Sequence, residues 1–508
     1  MRHRSPAARP LALLGSIAAL LLAPSVASAN LITVNDPGDP FGTGCTLHAA
    51  INSANAGSPL NNCTSGSAGP DVIDFSLAPA TTIGLAGPLP DITQALTITG
   101  PGVGQLTITG NDLFRPFLID PAVTADMSGL TITHGCGGVC SNVGGGIMNS
   151  GMLSLTDVAV TNNMAAATAA GTNSFAEGGG IENSSGATLS LLRSTISGNT
   201  VLSSGATSQN GPGGGGIMNR GTLLIDRSTV SGNHATGIAG GAATTNVKGG
   251  GIDTAGPLAT GRTTISGNTV SATGGVSNSG AGGGIGAFNS PSVTISLDRT
   301  TVSGNSVVGG VGNAQAGGVE GFGSNFSVSS STISGNSALA SANLTLGATT
   351  KEFKNTIVSN PLGGGLNCAA PIATSVGFNI EDGSSCGFAQ STDHPDTDPM
   401  IGALGDNGGP TQTMALLAGS PAIDQGQLTP GETTDQRVLT RPSDFALIPN
   451  APGGDGTDIG AFEVQLPVVP PPSTTPPSTT PPTTAPKKRC KKGRKLKKGK
   501  CVKKKRKH

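Results

Sequence analysis

Residues 214 to 233 read GGGIMNRGTLLIDRSTVSGN, and both ends of this stretch return along the chain. The GGGI opening begins at 144, 178, 214, 249 and 282, and the close of Ile or Val followed by Ser-Gly-Asn begins at 196, 230, 265, 302 and 333. Anchored on the closing asparagine, the copies pass through Asn163, Asn199, Asn233, Asn268, Asn305 and Asn336, and more loosely Asn360. Three residues earlier stand Val160, Ile196, Val230, Ile265, Val302, Ile333 and Ile357. All are β-branched, which suits a stiff, inward-facing strand position. Further upstream, Leu153/Leu155, Leu189/Leu191, Leu223/Ile225, Ile295/Leu297 and Phe326/Val328 alternate with polar residues at period two. A third inward point comes from Ile147, Ile181, Ile217, Ile252 and Ile285, with Val319 in the next copy.

Each copy therefore holds three short strands in roughly 22 residues, and a Gly/Ala/Thr/Ser loop completes a period of about 35. No copy can bury its own apolar face, so the copies stack. Three strands per turn, with like residues in register, predict an all-β right-handed parallel β-helix. Corner glycines permit positive φ and close approach between rungs. The asparagines Asn163, Asn199, Asn233, Asn268, Asn305 and Asn336 fall at one corner, where side-chain amides bond the turn backbone and the next rung. LTITGPGVGQLTITGN and GLTITHG read as earlier coils, KNTIVSN and TSVGFNI as later ones. Nine to eleven rungs predict a rod of roughly 45 to 50 Å. CTLHAAINSANA, 45–56, reads as a short amphipathic helix that caps the first rung and protects its edge.

Composition agrees with short strands and tight turns. The 508 residues include 80 glycines, no Trp, no Tyr and 3% aromatics, too few large rings for an ordinary core of this size. Residues 1–29 carry Arg2, Arg4 and Arg9, an apolar run from Leu11 to Leu22 and Ala27-Ser28-Ala29, which predict a secretory signal peptide. The run is too short to span a bilayer. The remaining organisation reads as an N-terminal cap at 30–70, β-helix repeats at 71–390, a C-terminal segment of the β-helix at 391–465, a Pro/Thr spacer at 466–486 and a basic tail at 487–508. The tail holds 15 of the 29 Lys and Arg and no acid, so formal neutrality hides an acidic body and a cationic end. A block of like charge stays solvated and disordered. The sequence predicts that it binds an anionic envelope polymer or polysaccharide, nucleic acid being disfavoured by export. It sets no oligomeric state.

Eight cysteines pair by proximity: Cys45 with Cys63, Cys136 with Cys140, Cys368 with Cys386, and Cys490 with Cys501. In an exported chain such a set reads as disulfides, although His134 beside Cys136 and Cys140 also allows a metal reading. No cofactor is implied. The acids from Asp393 to Asp406 and from Asp455 to Asp458 leave a calcium site as a weaker reading, since their spacing fits no defined calcium loop.

Two segments carry a family resemblance. ITVNDPGD, CTLHAAINSAN and DVIDF resemble the N-terminal segment named for the motif CSLREA, with His48 and Ala49 in place of its Arg and Glu. DPMIGALGDNGGPTQTMALLAGSPAIDQG with DIGAFE, within 398–463, resembles the choice-of-anchor Q family of secreted bacterial β-helix proteins. GGGI is similar to the repeats of polymorphic outer-membrane proteins, but Val or Ile stands where their FxxN motif has Phe. The resemblance implies a secreted β-helix and transfers no catalytic motif.

Six residues before each closing asparagine stand Asp157, Arg193, Arg227, Arg262, Arg299, Ser330 and Lys354. In-register stacking predicts that Arg193, Arg227, Arg262 and Arg299 align on the exterior. Such a stripe would match an anionic polymer, since guanidinium forks suit carboxylates and sulfates; paired with Asp226 and Asp298 it is ordinary surface. No catalytic residue is assigned. The body has no adjacent Asp-Asp and no Gly-His-Gly, Asp157, Asp226 and Asp298 read as scattered, and His134 and His234 read as turn residues. A structural or adhesive surface role follows, with a carbohydrate-binding protein, or a polysaccharide lyase or hydrolase of pectin-lyase-like fold, as the alternatives. Three or more acids converging with a cation in a groove would favour the alternatives.

Overall fold

A computed structural model describes residues 29–40, 42–67, 69–136, 142–168, 173–205, 209–240, 244–275, 277–287, 293–309, 313–347, 350–372, 374–466 and 489–504. The expected signal peptide, apart from its last residue, Cys140 and most of the Pro/Thr spacer lie outside the described residues. The chain divides after Gln465 into two units.

Within the first unit the aliphatic files align coil on coil. Twelve parallel strands, Leu31–Val34 to Thr374–Gly377, form one sheet, in which Leu153, Leu189, Leu223, Leu258, Ile295 and Phe326 share a register position. Eleven parallel strands, Thr81–Gly84 to Ile380–Glu381, form a second sheet that aligns Val160, Ile196, Val230, Ile265, Val302 and Ile333. A third sheet aligns Phe117, Ile147, Ile181, Ile217, Ile252, Ile285, Val319 and Leu344. All three files are buried in one continuous core. This is a parallel β-helix. Twelve strands span about 53 Å at the usual strand spacing. The first rung, Leu31–Val34, comes from the cap segment, beside the helix Leu47–Ala56. That helix starts where the Thr46 hydroxyl accepts from Ala49 N at 3.2 Å and ends at Gly57 with φ 60°. The Cys45–Cys63 disulfide ties its start to the segment beyond it.

Each glycine of the triplet answers a different constraint. Gly214 has φ 69°, a conformation that a side chain disfavours. A Cβ on Gly215 would collide with backbone of the next coil, at Gly250 O. A Cβ on Gly216 would lie 2.7 Å from Gly251 O and 3.0 Å from Asn233 Cγ. The triplet is thus the seat of the asparagine corner. There Asn199 Nδ2 donates to Asn233 Oδ1 at 3.0 Å, Asn233 to Asn268 at 2.9 Å and Asn268 to Asn305 at 2.8 Å. The same Oδ1 atoms accept from the backbone N of the preceding asparagine, and each Nδ2 also reaches back to a strand carbonyl, Asn233 to Ile196 O at 3.0 Å. Asn163 joins at one end and Asn336 at the other, and all six are buried.

Three features depart from the sequence reading. The row does not continue to Asn360: Asn336 donates to Asn343, and Asn343 to Asn367, at 2.8 Å each. Val358, not Ile357, pairs with Ile333, so Ile357 faces outward. Next, the Gly/Ala/Thr/Ser loops are strands. Met164–Ala167, Thr200–Ser204, His234–Ala239, Thr269–Gly274 and Ser306–Val308 stack as a five-stranded parallel sheet. The return strands, Thr244–Lys248 and Ser277–Ala281 among them, stack beside it around a separate core of Ala165, Val201, Ala235, Val247, Val270 and Val307. This lateral wing is held by small residues, whose short side chains let two narrow sheets close on each other.

Finally, residues 398–463 add no coil. They fold back over the outer face of the second sheet, with one antiparallel pair, Ile401–Gly405 and Thr413–Leu416. Gln436 lies across that face, accepting from Thr301 Oγ1 at 2.6 Å and donating to Thr264 Oγ1 at 3.0 Å. Ile357 is buried there with Ile380, Ala422, Ile459 and Phe462. The DIGAFE turn is tied by Arg441, which is fully buried. Its guanidinium meets Glu463 at 2.8 Å, Glu432 at 2.9 Å and the carbonyls of Asp458 and Gly460 at 2.9 and 2.6 Å. Such a buried cation is tolerable because nearly all its donors are used.

Asn233→Ala removes both an acceptor for Asn199 and a donor to Ile196 O inside a dry corner. It should lower unfolding stability by about 1–3 kcal/mol. Urea denaturation checks this; an unchanged midpoint would contradict a stabilising ladder.

Candidate functional site

The four arginines do form a row, at a corner where the backbone is left-handed: φ is 48° at Arg193, 49° at Arg227, 52° at Arg262 and 46° at Arg299. Their backbone N–H groups donate to the next coil, Arg193 to Asp226 O at 3.1 Å and Arg262 to Asp298 O at 3.1 Å. The row is not a bare cationic stripe, since each arginine pairs with a neighbouring acid. Arg193 forks Asp157 at 2.9 and 2.7 Å, Arg262 forks Asp226 at 2.8 Å twice, Arg227 shares Asp226 at 2.9 Å, and Arg299 binds Asp298 at 2.8 Å. Arg299 also donates to Thr434 O of the folded-back segment at 3.2 Å. Nor are the acids scattered: Asp226 and Asp298 occupy one register position two coils apart, each within its neighbours' reach.

The other acids singled out in the sequence hold turns. Asp393 accepts from Asn379 N at 3.0 Å and Gln390 N at 2.8 Å, and Asp455 accepts from Leu428 N at 3.2 Å. Among the described residues no group of three His, Cys, Asp or Glu is arranged to hold a metal ion. Cys136 is disulfide-bonded, and His134 Nδ1 meets Thr133 Oγ1 at 2.9 Å. Cys368–Cys386 closes the last coils.

A different constellation lies on the outer face of the third sheet, against the return strands of the wing. The residue after each GGGI isoleucine points outward, giving the register file Met148, Glu182, Met218, Asp253, Gly286 and Glu320. Glu182, Asp253 and Glu320 are buried. Arg220 bridges Glu177 at 2.5 Å and Glu182 at 3.0 Å. Lys248 reaches Glu320 at 3.2 Å, past Gly286, where a Cβ would lie 3.2 Å from the lysine's own Cβ. Asp253 has neither oxygen hydrogen-bonded among the described residues. Burial pushes its carboxyl well above the usual range, Lys248 opposing and Glu320 and Glu177 adding to the rise. Burial likewise raises Glu320, against the pull of Lys248. Phe175, Glu177, Gly211, Pro212, Asn246, Lys248 and Asp253 enclose a cavity of about 180 Å³.

Sequence reasoning passed over this group because its members are dispersed over 144 positions, from Glu177 to Glu320. One signal was present: the position after the aligned isoleucine carries Glu, Asp and Glu in alternate copies, where a solvent-facing strand residue would be free to vary. The next position of the motif supplies a second buried amide row. Asn149 donates to Asn183 and Asn183 to Asn219, both at 2.7 Å, and Asn219 to Thr254 Oγ1 at 2.9 Å.

No protein-family model matches the chain, and no curated protein does. One solved structure that it resembles is pectate lyase Pel9A, at 14% identity and a TM-score of 0.40, over 86% of this chain and 97% of that one. The β-helix assignment rests on the strand register itself.

Two outcomes follow. Asp253 takes up its proton more readily when folded, so its contribution to stability is lost as pH rises from the ordinary carboxylate range towards its folded value. Asp253→Asn should therefore raise the thermal midpoint at pH 7 and lose that advantage near pH 4. An equal effect at both values would contradict the buried acid. In the row, Arg299→Gln should lower the midpoint more than Arg193→Gln, because Arg299 is largely covered and ties the folded-back segment while Arg193 pairs in open solvent. Thermal melts of the two variants compare them directly.

Proposed function

We propose that this is an exported β-helix protein with a structural or adhesive role at the cell surface, held to an anionic envelope polymer by its basic C-terminal hairpin. The observation that carries the reading is the hairpin itself. Arg494–Lys497 and Lys500–Lys503 pair antiparallel about a Lys498-Gly499 turn with φ 48° and 73°. A two-stranded ribbon this short buries no core, and the Cys490–Cys501 disulfide closes it. All the Lys and Arg between 489 and 504 are exposed, and no acid lies in the last 22 residues. Such a surface attracts polyanions through counterion release, so its hold weakens steeply with salt. The pairing of the arginine row with Asp157, Asp226 and Asp298 supports the same assignment, since it leaves the tail as the concentrated cationic surface. The resemblance of 398–463 to the choice-of-anchor Q family supports export. Among the described residues no helix is long and apolar enough to cross a membrane.

Cell fractionation tests the anchor. A truncation ending at Pro486 should move to the medium, and high salt should release the full-length protein from cells. A truncated protein that stays on washed cells would transfer the anchor to the β-helix and overturn the proposal.

A further inference from the structure

The cavity between the wing and the third sheet has a composition that neither the repeat nor the tail explains. Its wall on one side is apolar, from the Phe175 ring, Pro212 and Gly211. Phe175 is 40% exposed, although the wing has its own core of small aliphatic residues close by. The opposite side is polar, from Glu177, Asn246, Lys248 and Asp253. Of these, Glu177 is engaged by Arg220, and Lys248 by Glu320. Asp253 is 1% exposed and lines the cavity with both carboxyl oxygens free of hydrogen bonds to the described residues. A buried carboxyl left without a partner costs stability, and a ligand carrying donors would recover that cost on binding.

The ligand chemistry follows from what the cavity offers. A metal ion is disfavoured, since among the described residues no three His, Cys, Asp or Glu side chains are arranged to hold one. A polyanion is disfavoured by Glu177, Asp253 and Glu320 together. A flat apolar wall facing hydrogen-bonding carboxyl and amide groups suits a molecule with one C–H face and a hydroxyl-bearing edge. About 180 Å³ admits one ring rather than a chain.

We propose that this cavity binds a single neutral sugar ring, a terminal or branch residue of a glycan, stacked on Phe175 and hydrogen-bonded through Asp253, Glu177 and Asn246. The site would give the rod a specific contact in addition to the tail's charge-driven one, and it stands whether or not the tail is the anchor.

Saturation-transfer NMR on the full-length protein tests it, using the methyl glycosides of glucose, galactose, mannose and N-acetylglucosamine in high salt, so that the tail contributes nothing. At least one glycoside should receive saturation at its ring protons. Phe175→Ala, an exposed position whose loss spares the core, and Asp253→Leu, which keeps the branched shape but removes the polar group, should each weaken binding at least about tenfold, or roughly 1.4 kcal/mol. Arg193→Gln, on a different face, should leave it unchanged. Absence of transfer for all four glycosides, or undiminished binding by Phe175→Ala, would overturn the proposal. The alanine variant keeps the test decisive if the leucine variant does not fold.

Discussion

The structure depends on amides that bond each coil to the next inside a dry corner. A β-strand slipped by one residue would turn its apolar file outwards, and hydrophobic contact alone resists such a slip weakly when successive coils carry similar side chains. The Asn163 to Asn336 row supplies the missing discrimination, because each Oδ1 meets one backbone N–H and one side-chain donor of the coil before it. Each asparagine needs space beside it and a strand carbonyl in reach. The glycine triplet gives the first and the preceding Ile or Val gives the second. At the other end of the same strand the chain must turn with positive φ, and there the arginines stand.

What covers each face then decides which charges matter. The folded-back segment seals the outer face of the second sheet over its last coils, so Thr264, Thr301 and Thr332 are buried while Thr195 and Thr229, earlier in the same file, are not. The wing buries the outward file of the third sheet and with it Glu182, Asp253 and Glu320. The first sheet keeps an open outer face, and along its edge arginine and aspartate alternate closely enough to neutralise each other. Charges that the primary structure presents as comparable therefore differ in kind. Those at the open edge, Arg299 under the folded-back segment excepted, are screened and exchangeable, and those under the wing are few, dry and energetically expensive.

Buried ionic groups recur where coverage is complete. Arg441 is held by two carboxylates and two carbonyls and gathers the end of the folded-back segment, while Arg437 stacks 3.6 Å from the centre of the Phe462 ring. Glu432, Glu463 and the two arginines all lie within 398–463. Their work is to lock an irregular segment, one with almost no strand pairing of its own, onto a regular one.

The sequence by itself determined the repeat, the three inward files, the asparagine corner, the arginine row, the capping helix and the local pairs Cys45–Cys63, Cys368–Cys386 and Cys490–Cys501. The repeated features follow from spacing within one copy, which stacking multiplies unchanged, and the helix and cysteine pairs follow from local sequence alone. The tertiary structure decided what spacing cannot carry. Small residues at 164–167 and 200–204 look like loop in one copy and become a sheet only when five copies align. The strand register shifts the rung Ile357–Ser359 by one residue, exchanging Ile357 for Val358, so that Ile357 packs outward under the folded-back segment. Arg193 and Asp157 are 36 residues apart, and Lys248 and Glu320 are 72. Whether a charge is paired, solvated or left alone in a cavity depends on neighbours one or two coils away, and those neighbours exist only once the coils are stacked.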